Sequence, residues 1–219
     1  MRVSSFLSAL VIMRVDVRVM EAQDAAAVAA LWKNGLQQTA DAAPWWMRPF
    51  VASAITKYGE KAMQEDGDVG PAGKHLMKNW NDKSENLRRM FVAVMFDEEE
   101  HNNEAEENPI VGVVGVKKGF GDEEDSENDQ ASIWRMSVDP SVRRQGVGLA
   151  LMNKAEDWAR SNRCTSMKLV TGNAIAARFY TERAGYQVMP PKEDPTLTWW
   201  ERMEPWRVLN FIHYYEKKL

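Results

Sequence analysis

The chain has 219 residues, 44% of them hydrophobic, with a single cysteine and a formal net charge of −4. This is enough apolar material for one full core. One cysteine excludes a disulfide scaffold, and the lack of any apolar run near the roughly 20 residues of a helical span argues against a membrane protein. The charge is uneven: residues 97–107 carry seven acids and no Lys or Arg, and residues 119–129 carry six more, so the rest of the chain is net basic. Such runs read as solvated acidic loops between strands, with an acidic fence that draws in cationic amines as the sharper alternative. No Lys/Arg-rich stripe is interleaved with the aromatics, so a nucleic-acid partner is not expected.

In chain order, residues 1–13 read as an N-terminal extension, and residues 14–219 as a single domain. Arg2, Ser4, Ser5, Ser8 and the apolar run from Phe6 to Met13 weakly resemble a targeting segment, so organelle import stands beside the favoured cytoplasmic location, and Met13 is an alternative start. A strand is expected at 14–20. Asp24 then reads as the N-cap of a helix that buries Val28, Leu31 and Trp32, with Gly35 as its stop. Helical stretches follow at about 50–65 and 75–87. Strand formers at Met90–Phe96, Pro109–Lys117 and Ala131–Val138 predict an antiparallel meander joined by the two acidic loops. A helix after residue 146, a strand at Met167–Thr171, a helix after Asn173, and strands near Tyr186–Met189 and Val208–Tyr215 complete a mixed sheet. Cys164, just before a strand, reads as a buried, inert thiol, and His75, His101 and His213 are too scattered to propose a metal.

The stretch from Ile133 to Met152 reads as strand, turn, basic glycine loop and helix start. In Arg143-Arg144-Gln145-Gly146-Val147-Gly148 two positions lack a side chain where backbone N–H groups approach a ligand, and the helix behind offers unpaired amides and a partial positive charge. This is a cradle for an anion, with a diphosphate the expected ligand. Its Arg/Gln-x-x-Gly-x-Gly/Ala spacing differs from the common nucleotide loops and resembles the pyrophosphate loop of the GNAT superfamily of acyl-CoA N-acyltransferases. A second segment, Ser166 to Tyr186, resembles that family's other motif: Asn173 after a strand, Ala176, Phe179 and Tyr180 on a helix, and Gly185-Tyr186 closing it.

The resemblance covers about residues 131 to 190. It implies an α/β fold of the GNAT type: a central, mostly antiparallel sheet with one splayed parallel strand pair, flanked by helices. It also implies acetyl-CoA as acyl donor, with other acyl groups left open, and no metal. Backbone groups of Met136, Ser137 and Val138 would pair with the pantetheine arm and the thioester carbonyl. Arg143, Arg144, Gly146 and Gly148 would hold the pyrophosphate, with Gln145, Val147 and Leu149 adding backbone amides. Asn173 would touch pantetheine, cap the following helix, or both, beside Ala176 and Phe179. Tyr180 would be the general acid, since a phenol with a pKa of about 10 is protonated at neutral pH and can donate to the departing thiolate; an amphipathic core tyrosine is the alternative.

The general base is not inherited. Some family members carry a glutamate on the strand before the loop, and the matching residue here is Ser132. A water chain, an amine already neutral when bound, or a carboxylate from elsewhere would serve instead, with Asp41, Glu201 and Glu204 as candidates on segments expected to line the acceptor side. Nine tryptophans are many for this length. Those in Ala43–Pro49 and Pro190–Trp206 fit an aromatic acceptor groove, ordinary loop packing or a homodimer contact equally well. The reading is thus an N-acetyltransferase acting on a primary amine, of a small molecule or of a protein or peptide. Its rival is a CoA-binding sensor or interaction module of the same fold that has lost turnover.

Overall fold

Strands β1 (Met13–Val19), β2 (Arg88–Asp97), β3 (Ile110–Lys118), β4 (Gln130–Val138), β5 (Ser166–Thr171), β6 (Gln187–Met189) and β7 (His213–Lys218) form one sheet in the order β1-β2-β3-β4-β5-β7-β6. The computed structural model describes residues 13–42, 45–46, 48–49, 87–97, 108–119, 129–171, 173–189 and 213–219. Every neighbouring pair is antiparallel except β4 and β5, which run parallel. The mixed sheet with one parallel pair is the fold class expected from the sequence. The expected helices at 50–65 and 75–87, most of both acidic loops, and residues 190–212 with their tryptophans lie outside the described residues.

Both faces of the sheet are covered, which is why β2 and β3 are almost continuously apolar rather than alternating. Side chains of β2 nevertheless divide by parity. Phe91 and Ala93 face helix α2 (Val147–Ser161) in the larger core, with Val114, Val116, Ala131, Met167 and Leu169. Met90, Val92 and Val94 face helix α1 (Ala25–Ala42), where Met20, Ala25 and Val28 close a second core. On α2 the buried set Val147, Leu151, Met152, Ala155 and Ala159 repeats at helical spacing. Each large aliphatic side chain buried here contributes about 1.5–3 kcal/mol. The third helix, α3 (Ala174–Glu182), shares the α2 face of the sheet.

Asp24 does not cap α1 as expected. It is the third residue of a short 3-10 turn (Ala22–Asp24) that precedes the helix, and its carboxylate accepts from the Glu21 amide at 2.7 Å. It also takes both arms of the Arg18 guanidinium, at 2.6 and 2.8 Å. Burial opposes ionisation of Asp24, but these hydrogen bonds and the Arg18 charge outweigh it and hold the carboxyl below its ordinary pKa.

Gly35 does not stop α1 either, because the helix continues through it to Ala42. Its reason is close approach: a Cβ there would sit 2.7 Å from Ser137 Oγ on β4, and that hydroxyl donates to the Leu31 carbonyl at 3.0 Å. The expected last strand also shifts, since β7 runs on past Tyr215 to Lys218.

The contact between Gly35 and Ser137 has a measurable signature. Gly to Ala inside a helix gains about 1 kcal/mol, but here the new methyl drives the Ser137 hydroxyl off the Leu31 carbonyl, which costs about as much. Gly35→Ala alone is therefore close to neutral. In a Ser137→Ala background, where the nearest remaining atom is Cβ at 3.5 Å, the same change stabilises by about 1 kcal/mol. Denaturant unfolding of the four proteins in that cycle measures the difference.

Candidate functional site

The site begins where β4 leaves β5. The parallel ladder holds Gln130, Ala131 and Ser132 opposite Ser166, Met167 and Lys168, and then stops, although β4 continues to Val138 and β5 to Thr171. On its other edge β4 stays paired with β3, with one irregularity: Gly115 faces Trp134 and Val113 faces Ser137, so Arg135 and Met136 together oppose Val114. This is a β-bulge, and Arg135 occupies the left-handed region at φ 55°. The bulge bends β4, and backbone groups of its last residues face the opening between the two strands. Met136, Ser137 and Val138, the residues expected to meet a pantetheine arm, line the stretch where the pairing is missing. The Ser137 side chain is turned to α1, so only its backbone is available for that role.

After β4 the chain turns through Asp139, whose carboxylate accepts from the amide and hydroxyl of Ser141 at 2.8 and 2.6 Å. Those hydrogen bonds from Ser141 hold its carboxyl below the usual range. Arg143, Arg144, Gln145 and Gly146 are exposed, and α2 starts at Val147 with Gly146 as its N-cap. Arg144 and Gly146 both take left-handed backbone, at φ 65° and 89°. For a non-glycine residue such a conformation costs on the order of 1–3 kcal/mol, so the loop shape is held against strain. The result is a basic, exposed turn in front of the unpaired amides of a 15-residue helix.

The two glycines have different reasons. Gly146 has open space around a would-be Cβ and is required by its φ. A Cβ on Gly148 would crowd Phe179 at 3.3 Å and Met136 Cε at 3.4 Å. Gly148 thus lets α2, α3 and the bulge converge. Val147 is buried beneath the loop, and Leu149 is half-buried. Arg143 Nη2 donates to Gln38 on α1, which ties the loop to that helix.

The second motif closes the other side of the opening. Asn173 is the N-cap of α3, its side-chain oxygen accepting from the amides of Ile175 at 2.9 Å and Ala176 at 3.3 Å. The capping role weighed for Asn173 is therefore present. Ala176 and Phe179 pack against the larger core, and the Phe179 ring lies edge-on to Tyr180 at 5.3 Å. Tyr180 is buried, and its hydroxyl meets the Met136 sulfur at 3.5 Å, directly at the bulge. Arg178 is ion-paired to Glu182 on the exposed face of α3. Of the carboxylates considered as base, Asp41 is exposed and accepts from Gln37, while Glu201 and Glu204 lie outside the described residues. Trp45 and Trp46 are 80% and 51% exposed. Cys164 is buried, and burial raises its thiol pKa. Among the described residues no group of three His, Cys, Asp or Glu side chains is placed to hold a metal.

The model of the acetyltransferase (GNAT) family matches residues 56–186, more than half of the chain. The chain belongs to the GNAT acetyltransferase family. It is similar to acetyl transferase GW6a of Oryza sativa subsp. japonica, 34% identical over 94 residues. That alignment covers 40% of this chain and 22% of the rice protein, so the chain matches under a quarter of its relative's length. Among solved structures it resembles the PaiA N-acetyltransferase of Thermoplasma acidophilum in complex with coenzyme A (TM-score 0.57, 13% identity, 94% of this chain and 99% of that one). It also resembles a GNAT-family acetyltransferase of Streptococcus pneumoniae (TM-score 0.55, 13% identity, the same coverage). At these identities the likeness is one of fold.

Three supports of this GNAT site were not read from the sequence. Gln38 and Arg135 act through partners far along the chain: Arg143, and the Trp32 ring, whose centroid is 4.4 Å from the Arg135 guanidinium. No local pattern announces either. The third is Lys217, which donates to both Glu156 oxygens on α2 at 2.8 and 2.9 Å, and to the Ala184 carbonyl at 2.9 Å. It ties β7, α2 and the end of α3 into one block. An acid inside the apolar stripe of α2 was the available signal.

Tyr180 stands 6.1 Å, ring to ring, from both Tyr186 and Tyr215. Burial, and then nearby charges for the first two, push Tyr180 and Tyr186 well above the usual phenol pKa, and burial raises Tyr215. In the unfolded chain these groups ionise near pH 10, and in the folded chain only at higher pH. The folded state therefore binds more protons above about pH 10, and stability is lost as pH rises from there. The cluster predicts a falling unfolding midpoint above pH 10, and Tyr180→Phe flattens that fall. Denaturant titrations at pH 8, 10 and 11 measure it.

Proposed function

We propose that this protein is an acetyl-CoA-dependent N-acetyltransferase acting on a primary amine within a ternary complex. One observation carries the reading: β4 parts from β5 after Ser132, bulges at Arg135 and Met136 beside a buried tyrosine hydroxyl, and leads on to an exposed basic helix start. An extended thioester-bearing chain needs an opening with unpaired backbone on one side, an anion cradle at one end and a proton donor at the other. The PaiA structure, solved with coenzyme A, has the same overall fold.

In this reading acetyl-CoA is a substrate. Arg143, Arg144 and the backbone amides from Gln145 to Leu149 take its pyrophosphate, with Gly146 and Gly148 leaving room. The last residues of β4 pair with the pantetheine arm, which Asn173, Ala176 and Phe179 flank. A neutral amine attacks the thioester carbon, a C–N bond forms, the C–S bond breaks, and the thiolate leaves with a proton from the Tyr180 phenol. The products are the acetamide and CoA thiol; the amine's surplus proton passes to solvent, and solvent returns one to the Tyr180 phenolate. The raised pKa of Tyr180 fits a group that is protonated at the start of each turnover. Its location is read as a reducing compartment such as the cytoplasm, in keeping with the single free thiol.

Ser132 in place of a carboxylate favours the second reading, a CoA-binding module that has lost turnover. CoA thiol release from acetyl-CoA, measured across a panel of amines, separates the two. In the enzyme reading Tyr180→Phe lowers kcat by about 10²-fold or more, while calorimetric acetyl-CoA affinity stays within about twofold. Unchanged kcat removes Tyr180 from the mechanism, and acetyl-CoA binding without release of thiol on any amine supports the sensor.

A further inference from the structure

Ser132 lies in a row of buried polar residues that crosses the sheet at one register. Arg88 on β2 faces Lys117 on β3, Lys117 faces Ser132 on β4, and Ser132 faces Lys168 on β5. All four are buried, with relative exposures of 6%, 6%, 4% and 3%. The next residue in the row, Glu216 on β7 opposite Lys168, is the one acid. Two residues along β4, on the same face, stands Trp134, part of the α1-side core, with Lys117 Nζ 4.5 Å from its ring centroid. Trp134 is opposite Gly115, so β3 sends no side chain toward it.

Arg88, Lys117 and Lys168 are each engaged within the fold. What stands open between them is a pair of neutral groups. Ser132 Oγ and Trp134 Nε1 are buried and have no hydrogen-bond partner among the described residues. An unmet buried polar group forfeits the hydrogen bonds it had in water, and an indole N–H can only donate. Two such groups on one strand face, in a cationic surround, are satisfied together by a group that only accepts and carries negative charge. A carboxylate does both. The place matters as much as the chemistry, because the bulge begins one residue beyond Trp134 at the opening between β4 and β5, with Trp134 on the α1 face of the sheet and Met136 and Tyr180 on the α2 face.

We infer that Ser132 and Trp134, with Lys117 and Lys168 beside them, recognise a carboxylate on the acceptor, so that the amine acetylated here belongs to an amino acid. This rests on the acyltransferase reading and names its substrate class. The carboxylate takes no part in bond making. It positions the amine near the thioester, and the site has no glutamate of its own at residue 132 to repel it. An unsubstituted amine leaves the donors unmet and is selected against by desolvation.

The test compares matched pairs: phenylalanine with phenethylamine, tryptophan with tryptamine, and lysine with cadaverine. CoA thiol release from acetyl-CoA gives kcat/KM for each, corrected for the fraction of neutral amine, and calorimetry gives acetyl-CoA affinity separately. At least one pair should favour the carboxylate-bearing member by about tenfold or more. Ser132→Ala, which removes one hydroxyl and leaves the packing, and Lys117→Met should each shrink that ratio without changing acetyl-CoA affinity. A structural role alone would lower both members of a pair equally. A wild-type ratio at or below one, a ratio that Ser132→Ala leaves intact, or bound acetyl-CoA with no amino acid turned over would each overturn the inference while leaving the acyltransferase reading in place. Failure to bind acetyl-CoA at all would sink both.

Discussion

Strand β4 is paired along nearly its whole length on one edge and for three residues on the other. That asymmetry originates in one extra residue. With Arg135 and Met136 both set against Val114, β4 bends out of the plane that β5 continues in, and the sheet opens without losing its order. An opening between parallel strands is otherwise costly, since each unpaired backbone group in a buried place forfeits a hydrogen bond. The bulge makes it affordable only if something holds Arg135 at its positive φ. Its guanidinium lies against the Trp32 ring on α1, a contact worth about 0.5–2 kcal/mol, comparable to the strain it offsets.

Helix α1 is therefore more than a cover for the sheet. Leu31 accepts the Ser137 hydroxyl, Gly35 lets the helix backbone come within reach of that strand, and Gln38 receives Arg143 from the loop. Residues 31, 35 and 38 lie on one stripe at helical spacing. The stripe follows β4 from the bulge to the basic glycine loop, so the two parts of the candidate site share one support. Opposite it, Lys217 fixes α2 against β7 and the end of α3. The opening sits between a block held by α1 and a block held by Lys217.

Order and type of the described strands could be read from the chain because the apolar runs of β2, β3 and β5 and the turn residues around them are local signals. Both motifs were legible for the same reason: glycine at a positive φ, and Asn before a helix, state their geometry in one or two residues. The failures have a common cause. Gly35 looks like a helix stop because glycine usually is one, and only the distance to Ser137, 102 positions on, shows that it marks an approach. Asp24 has the composition of an N-cap, but a 3-10 turn intervenes and Arg18 claims its carboxylate. The bulge at Arg135 has no sequence signature, since it is a mismatch of register between two strands. The roles of Met136, Ser137 and Val138 rested on resemblance, and the structure supplies the unpaired strand edge that makes such roles physically available.

The polarity of the site runs opposite to that of a simple surface groove. Its basic glycine loop is exposed and charged, while the Tyr180 phenol, the proton donor of the proposed mechanism, is buried beside a thioether and two other tyrosines. In the proposed reading the nucleotide end of CoA remains in water, where arginines exchange hydration for phosphate at little cost. The reacting end needs the reverse, because a thiolate and a tetrahedral oxyanion are stabilised most by fixed donors where solvent cannot compete. Burial that raises the Tyr180 pKa also makes it a poorer acid, so in the proposed mechanism its value would come from a preorganised hydrogen bond to the leaving sulfur as much as from complete proton transfer. In the proposed mechanism a carboxylate base on β4 would add little: placed among Lys117, Lys168 and the unmet donors of Ser132 and Trp134, it would be held ionised by its neighbours and weakened as a base. The chemistry of the proposed mechanism then falls to an amine that arrives neutral, and the protein would contribute orientation.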